Sequence, residues 1–387
     1  MSGALHDLRI LDFSRVLAGP FATMMLADLG ATVLKVERGG PGGTGDDTRA
    51  WGPPYDAAGE ATYFQAVNRN KTSVVLDLGD ERDRDHARRL AGEADVVVEN
   101  FRPGVMDGLG LGYAALTADR PGLVYCSITG FGRGDGAALP GYDLLLQALG
   151  GLMSITGEPD GEPQKVGVAL VDVLAGLFAT VGVLAALRHR EETGEGQRVE
   201  VDLLSSLLAA LVNQASAFTA GDTVAHRMGN QHPSIAPYAL FPTADGDLVL
   251  AVGTDRQFAA LCAALGLDGL AEDPRFADNG ARVEHRDALR ATLVGALASR
   301  PAAEWARLLT AARVPAGVVN DVGEAFALAG ALGLDPVVTL PRAGGGEIAL
   351  VRNPIGLSRT PPTYRGAPPV FAPDARPLPG WPAPTPL

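Results

Sequence analysis

The sequence predicts an α/β fold: an open, parallel sheet followed by a smaller α+β domain. Three observations carry this. Residues 8–37 read strand, loop, helix, strand; short apolar strands then alternate with helical segments to about residue 203; and from about residue 220 the pattern changes to a hairpin followed by helices. Alternation of the first kind builds a parallel sheet with right-handed crossovers.

Taken in order, residues 8–13 form a short buried strand, and a loop follows from Ser14 to Pro20. Residues 21–29 are helical and end at Gly30, a residue suited to the position after a helix. Residues 31–37 are rich in β-branched side chains and close on Glu37, a second strand. The layout is that of a dinucleotide-binding fold. Its first turn, however, holds only Gly19 where G-x-G-x-x-G is needed, and no G-x-x-x-x-G-K-[ST] loop occurs, which argues against NAD.

Residues 49–63, rich in Pro, Gly and aromatics, read as a surface loop. Arg69 and Lys71 then precede a strand at 73–78; such a pair either sits under a phosphate or is a solvated turn. A charged helix at 83–94 leads to a buried strand at 95–99, which runs into Asn100-Phe-Arg-Pro-Gly104. Ligands of open α/β sheets bind beyond the carboxyl ends of the strands, so this loop is a site candidate. Residues 123–128 are the next strand, ending in Thr129-Gly-Phe-Gly132, and a helix runs from about 140 to 149, where Gly150-Gly151 breaks it.

Between residues 166 and 187 nearly every residue is apolar or small, and Asp172 is the only charge. A bare carboxylate out of water costs several kcal/mol unless it is paired or hydrogen-bonded. Asp172 therefore either caps the helix that follows or is used chemically. The same run is the one membrane candidate. Counted from Asp172 it falls short of the ~20 apolar residues a spanning helix needs, and it carries Gly176 and Gly182, so a buried core helix is expected. A strand at 197–203 and a long apolar helix at 204–218 follow. Next come the loop 226–238, a hairpin around Asp245-Gly246, helices at 256–265, 282–298 and 302–312, a short strand near 314–320, and a proline-rich tail from 353 expected to wrap back over the molecule.

The chain has 387 residues, 47% hydrophobic and 20% charged, a globular composition. A net charge of −13 argues against a general nucleic-acid or anionic-membrane surface. Cys126 and Cys262 lie far apart with no paired metal spacing, so neither a disulfide framework nor a metal site is expected, and a reducing cytoplasm is. The N-terminus lacks a basic stretch followed by an apolar one, so no secretory signal is expected. No G-x-S-x-G elbow and no H-E-x-x-H pair occurs.

Seven segments occur in order: Leu11-Asp-Phe-Ser-Arg-Val-Leu-Ala-Gly-Pro20, Val33-Leu-Lys-Val-Glu37, Val97-Val-Glu-Asn-Phe-Arg-Pro-Gly104, Gly141-Tyr-Asp143, Gly167-Val-Ala-Leu-Val-Asp172, Thr193-Gly-Glu-Gly-Gln197 and Asn353-Pro-Ile-Gly-Leu-Ser358. Together they resemble the class III CoA-transferase family of the CaiB/BaiF type, nearly end to end. The resemblance implies a doubly wound, Rossmann-like large domain plus a smaller α+β domain, in an interlocked homodimer. It places a large CoA-binding domain at 1–203, a linker helix at 204–228, a small domain at 229–330 and a C-terminal segment at 331–387 that returns to the large domain. It implies an acyl-CoA and a small carboxylic acid as substrates, with the CoA thioester as substrate, no tightly bound cofactor and no metal.

The family's catalytic aspartate matches Asp172. Residues around CoA match Arg15, Leu17, Arg38, Leu76, Asn100, Phe101, Thr129 and Phe131. Leu17 replaces a glutamine of the formyl-CoA transferases, Gly108 or a neighbour replaces a basic residue, Thr129 replaces a lysine, and the loop 229–238 does not match their glycine-rich flap. Formate is thus a poor guess; the loop 229–238 resembles transferases of dicarboxylic acids, with succinyl-CoA a frequent donor. There His232 or Arg227 either meets a distal carboxylate or belongs to a purely structural loop. The chemistry agrees: a carboxylate attacks a thioester carbonyl and gives a mixed anhydride and CoA thiolate, with backbone N–H groups for the oxyanion. Two rivals stand beside this reading. An α-methylacyl-CoA racemase would use a histidine where Tyr142 stands, and a tyrosine of ordinary pKa ~10 is a poor base at neutral pH. A non-catalytic acyl-CoA-binding protein is the other.

Overall fold

The computed structural model describes residues 3–374 and 380–382. Six strands form one parallel sheet: β1 (Arg9–Asp12), β2 (Thr32–Arg38), β3 (Lys71–Leu76), β4 (Val96–Glu99), β5 (Val124–Thr129) and β6 (Arg198–Asp202), in the order β3-β2-β1-β4-β5-β6. Chain order reverses between β1 and β4, and a crevice opens at such a switch point beyond the strands' carboxyl ends.

Alternate strand residues point to opposite faces. Ile10, Val33, Val98 and Cys126 pack on one side with Ala22, Leu26, Val171, Ala175 and Ala179. Leu11, Leu34, Val97 and Tyr125 pack on the other with Ala87, Leu90 and Met106. Both faces are covered, which is why the strands read as apolar runs rather than alternating ones. The first side carries α1 (Ala18–Asp28); α2 (Thr62–Ala66) is a short turn of helix; the second side carries α3 (Glu81–Glu93) and α4 (Val105–Gly108), with α5 (Tyr113–Thr117) beyond. Next come α6 (Asp143–Leu149), α7 (Leu170–Thr193), α8 (Leu203–Ala210) and α9 (Val212–Gly221). A Cβ at Gly176 of α7 would lie 2.7 Å from the carbonyl oxygen of Ala18, so glycine there lets α7 pack backbone to backbone on α1.

The chain divides into two compact units. One holds residues 1–152, 166–223 and 335–387; the other holds 153–165 and 224–334. Residues 204–223 thus belong with the sheet, and the second unit also takes in 153–165. In it β7 (Tyr238–Pro242), β8 (Asp247–Ala251) and β9 (Ala316–Val318) form an antiparallel sheet. Its helices are α10 (Asp255–Leu265), α11 (Asn279–Glu284), α12 (Arg286–Leu297), α13 (Ala302–Ala311) and α14 (Val322–Ala331), and Phe241, Leu248, Phe258, Leu293 and Trp305 lie in its core. A hairpin of β10 (Val337–Pro341) and β11 (Glu347–Val351) follows in the first unit.

Several expectations are corrected. The helix expected at 204–218 is two helices bent by 84°, broken at Val212, whose φ of 43° leaves the helical region. The helix expected at 282–298 is likewise split, at His285. Helix α7 has 24 residues and is long and apolar enough, by length and composition, to cross a membrane; its buried side packs on the sheet and α1. Arg69 and Lys71 are neither under a phosphate nor solvated. Arg69 is a buried, two-pronged partner of Asp28, with Nη2 at 2.6 Å and Nε at 3.0 Å, and Lys71 donates to Asp12 at 3.1 Å.

The C-terminal segment is pinned along the first unit. Asn353 Nδ2 donates to Asp28 at 3.2 Å, Arg365 donates to the carbonyls of Ala27, Gly30 and Ala31 at the end of α1, and Trp381 Nε1 donates to Leu90 O at 3.2 Å.

Candidate functional site

A crevice of ≈ 200 Å³ lies at the switch point, lined by the loops after β1, β4 and β5 and by the start of α7. It brings together Arg15, Leu17, Asn100, Phe101, Thr129, Phe131 and Asp172. Arg38 and Leu76 line a second cavity of ≈ 250 Å³, which shares Arg15, Asp47 and Phe101 with the first. Asp172 and the eight residues matched to the family's CoA contacts thus line one of two cavities with common walls.

The loop after β1 is held peptide by peptide. Ser14 N–H donates to Asp12 Oδ1 at 2.9 Å. Asn100 grips the Arg15 backbone from both sides, accepting its N–H at 2.9 Å and donating to its carbonyl at 2.7 Å. Val16 has a φ of 69°, a strained conformation for a β-branched residue, and its N–H meets both oxygens of Asp46 at 3.3 Å. Asp46 is itself buried against Lys35 Nζ at 2.8 Å. Burial works against its charge, but Lys35 outweighs that and holds the carboxyl below the usual range. A buried ion pair under a strained loop fixes where Arg15, Val16 and Leu17 stand. The Arg15 guanidinium bonds Asp47 at 3.3 Å and lies over the Phe101 ring at 5.5 Å; Arg38 reaches the same Asp47 at 3.6 Å.

Asp172 is the third residue of α7, not its cap. The cap position is Ala169, whose side chain offers no acceptor. The cap comes from α6: Asp143 Oδ1 accepts the N–H groups of Val171 at 2.8 Å and Asp172 at 3.3 Å. The close approach that brings the loop after β5 to the start of α6 is glycine on glycine, since a Cβ at Gly130 would sit 2.6 Å from the Gly141 Cα. Burial, and then the charge of Asp143, push the Asp172 carboxyl up to about 7. Its place in the first helical turn favours the anion, while burial and the like charge oppose it. The outcome is a carboxylate more basic than usual.

Tyr63, on α2, lies within electrostatic reach of both acids; burial, then Asp172 and Asp143, raise its phenol and keep it a donor. Its ring packs edge-on to Trp51 at 5.3 Å, and Trp51 lines the crevice. Both come from the stretch read as a surface loop; its aromatic content was the available signal. Tyr142, which stands where the racemases have histidine, also lines the crevice. In the second unit, Arg227 is engaged by the carbonyls of Glu158 and Gly161 at 3.1 and 3.0 Å, and His232 Nδ1 accepts the Ser234 N–H at 3.1 Å. His232 also lines a small cavity with Tyr238, Arg286 and Arg290. Among the described residues no cluster of three or more His, Cys, Asp or Glu is arranged to hold a metal ion.

Known proteins resemble the chain over most of its length. The chain is 45% identical over 371 residues to a succinate–glutarate CoA-transferase of Agrobacterium fabrum, covering 93% of this chain and 91% of that protein. It is 40% identical over 373 residues to a mouse succinyl-CoA:glutarate CoA-transferase, covering 96% and 85%. The crystal structure of a CaiB/BaiF family protein from Brucella suis superposes with a TM-score of 0.84 at 41% identity, covering 96% of this chain and 97% of that one. Residues 5–374 match CoA-transferase family III, and the chain belongs to that family as a CoA-transferase.

Proposed function

We propose that the protein moves CoA from succinyl-CoA to a second dicarboxylic acid of the glutarate kind, with Asp172 as the covalent carrier. The observation that carries this is the Asp172 carboxyl, raised to about 7, in the switch-point crevice. The substrate class follows from the names of the relatives. A carboxylate oxygen of Asp172 attacks the donor thioester; the C–S bond breaks and CoA thiolate leaves, giving a mixed anhydride. The thiolate attacks the aspartyl carbonyl and releases the donor acid, leaving a β-aspartyl-CoA thioester. The acceptor carboxylate attacks that thioester, thiolate leaves again, and its attack on the acceptor's carbonyl yields the new acyl-CoA and free Asp172. The N–H groups at the start of α1, which no side chain caps, are donors for the oxyanions. Arg15, Arg38, Leu17, Leu76, Asn100, Phe101, Thr129 and Phe131 contact the CoA portion. The route uses only a carboxylate and a thioester, so no tightly bound cofactor enters it.

Hydroxylamine added during turnover with succinyl-CoA is expected to place a hydroxamate on the peptide containing Asp172. A hydroxamate on another residue, or turnover without labelling, refutes the assignment. A screen of acids against succinyl-CoA is expected to rank short dicarboxylates above monocarboxylates.

The working form is a homodimer in the cytoplasm, with the two chains interlocked. Leu177, Phe178, Val181 and Leu184 expose an apolar stripe on α7, and Val212 and Phe218 are exposed on α9. A second copy covers such a surface. Light scattering is expected to give twice the chain mass, and Phe178→Glu to lower it; a monomeric wild type refutes the dimer. Two buried free thiols, Cys126 and Cys262, fit a reducing compartment, and cell fractionation is expected to recover the activity in the soluble cytoplasmic fraction.

A further inference from the structure

Gln147 is fully buried, and its amide is used at both ends. Its Oε1 accepts the Val166 N–H at 2.9 Å. Its Nε2 donates to Asp143 Oδ2 at 2.7 Å and reaches Val168 O at 3.4 Å. A backbone N–H can only donate, so the Val166 contact fixes which way the amide faces. Nε2 must then meet an acceptor, and Asp143 provides it. The other oxygen of Asp143 accepts the N–H groups of Val171 and Asp172.

Residues 143 and 147 stand four apart on α6, on one face. From that face they grip the segment 166–172 at both ends: Gln147 holds its start and Asp143 holds the first turn of α7. The bonds have one direction throughout, from Val166 into Gln147, from Gln147 into Asp143, and from α7 back into Asp143. Neither a leucine nor a glutamate fits at 147 beside Asp143. Leucine removes the amide that accepts from Val166 and donates to Asp143, and glutamate sets an acceptor against an acceptor.

We propose that Gln147 is a positioning residue for the transfer reaction: through Asp143 and the start of α7 it sets where the Asp172 carboxylate meets the thioester. The proposal rests on the reading of Asp172 as the nucleophile. A misplacement of about 1 Å at a reacting group costs about 10²-fold in rate. Gln147 touches neither substrate nor the carboxylate itself, so its loss falls on kcat.

The test uses three variants of the full chain: Gln147→Leu, Asp143→Asn, and the double variant Asp143→Asn/Gln147→Glu. The double variant keeps the bonds to Val166, between the two side chains and to α7 with amide and carboxylate exchanged, and gives up only the 3.4 Å contact to Val168 O. The introduced asparagine accepts from α7 with its oxygen and donates from its nitrogen to the introduced glutamate, which in turn accepts the Val166 N–H. Gln147→Leu is expected to lower kcat by about 10- to 100-fold while KM for the donor stays within about twofold. Asp143→Asn, which opposes two donors at the amide, is expected to be comparably slow, and the double variant to recover to within about fivefold of wild type. Recovery distinguishes positioning from bulk packing, because the double variant adds no volume to the core. Wild-type kcat in Gln147→Leu, or a double variant no faster than Asp143→Asn, overturns the proposal; the second comparison decides even where Gln147→Leu does not fold. Hydroxylamine trapping separates the two readings. If Asp172 is not the nucleophile, the wild type labels elsewhere; if only the role of Gln147 is wrong, Gln147→Leu labels Asp172 at the wild-type rate.

Discussion

Asp172→Ala is expected to lower CoA transfer by at least about 10³-fold, because transfer through a covalent carrier stops when its carboxylate is removed. Steady-state rates with succinyl-CoA and glutarate measure it; retention of a tenth of the wild-type rate refutes covalent catalysis by this residue. The pH dependence follows from the same carboxyl. Only the anion attacks, and its midpoint lies at about 7, so the wild-type rate of donor cleavage is expected to rise with pH through neutrality and then level off. Stability moves the other way. The folded state favours the protonated acid, so ionising Asp172 destabilises the fold from the ordinary carboxyl pKa of ~3.9 up to about 7. The alanine variant lacks that loss. It is expected to melt above wild type at pH 8, with a gain that shrinks and disappears as the pH falls through ~4. A variant both inactive and more stable at neutral pH shows that the basic carboxylate is kept for chemistry and not for the fold.

Arg69→Ala is expected to be the most damaging single change to the fold. It leaves Asp28 buried with its two-pronged partner gone, and breaking such a pair costs about 3–5 kcal/mol. Burial already pushes the Asp28 carboxyl above its ordinary value with Arg69, Asn353 and Asn70 in place. Urea unfolding measures the loss. Arg188→Ala is the control, since Arg188 pairs with Glu192 on the exposed side of α7, where such bonds contribute about 0–1 kcal/mol. Equal losses in the two variants refute the assignment.

The sheet was legible because buried parallel strands announce themselves: Val33, Val36, Val74 and Val96–Val98 are β-branched runs bounded by turns. The buried ions were not. Lys35, Arg69 and Lys71 carry charges that read as surface, and what buries them, Asp46, Asp28 and Asp12, is distant in sequence. The break at Val212 was hidden because an apolar stretch has no periodicity to interrupt. In the crevice, Asp172 stood out as a lone charge, and the eight residues expected around CoA came from resemblance, not from any pattern of their own. Asp143 was seen only as part of a motif, and Gln147 gave no signal at all. Both matter through hydrogen bonds to residues 19 and 28 positions further on, and no local pattern records those.

The pinned C-terminal segment has a consequence for how the chain is made. All six strands of the parallel sheet have been synthesised by Asp202, yet Asp28 is not fully bonded until Asn353 arrives, nor the end of α1 until Arg365 does. The unit built mainly from residues 224–334 is, by contrast, nearly contiguous in sequence. On the ribosome it can close its core while the older, larger unit still waits for its last strap. Contacts of such long sequence separation form slowly, so the first half of the protein to emerge is the last to be completed.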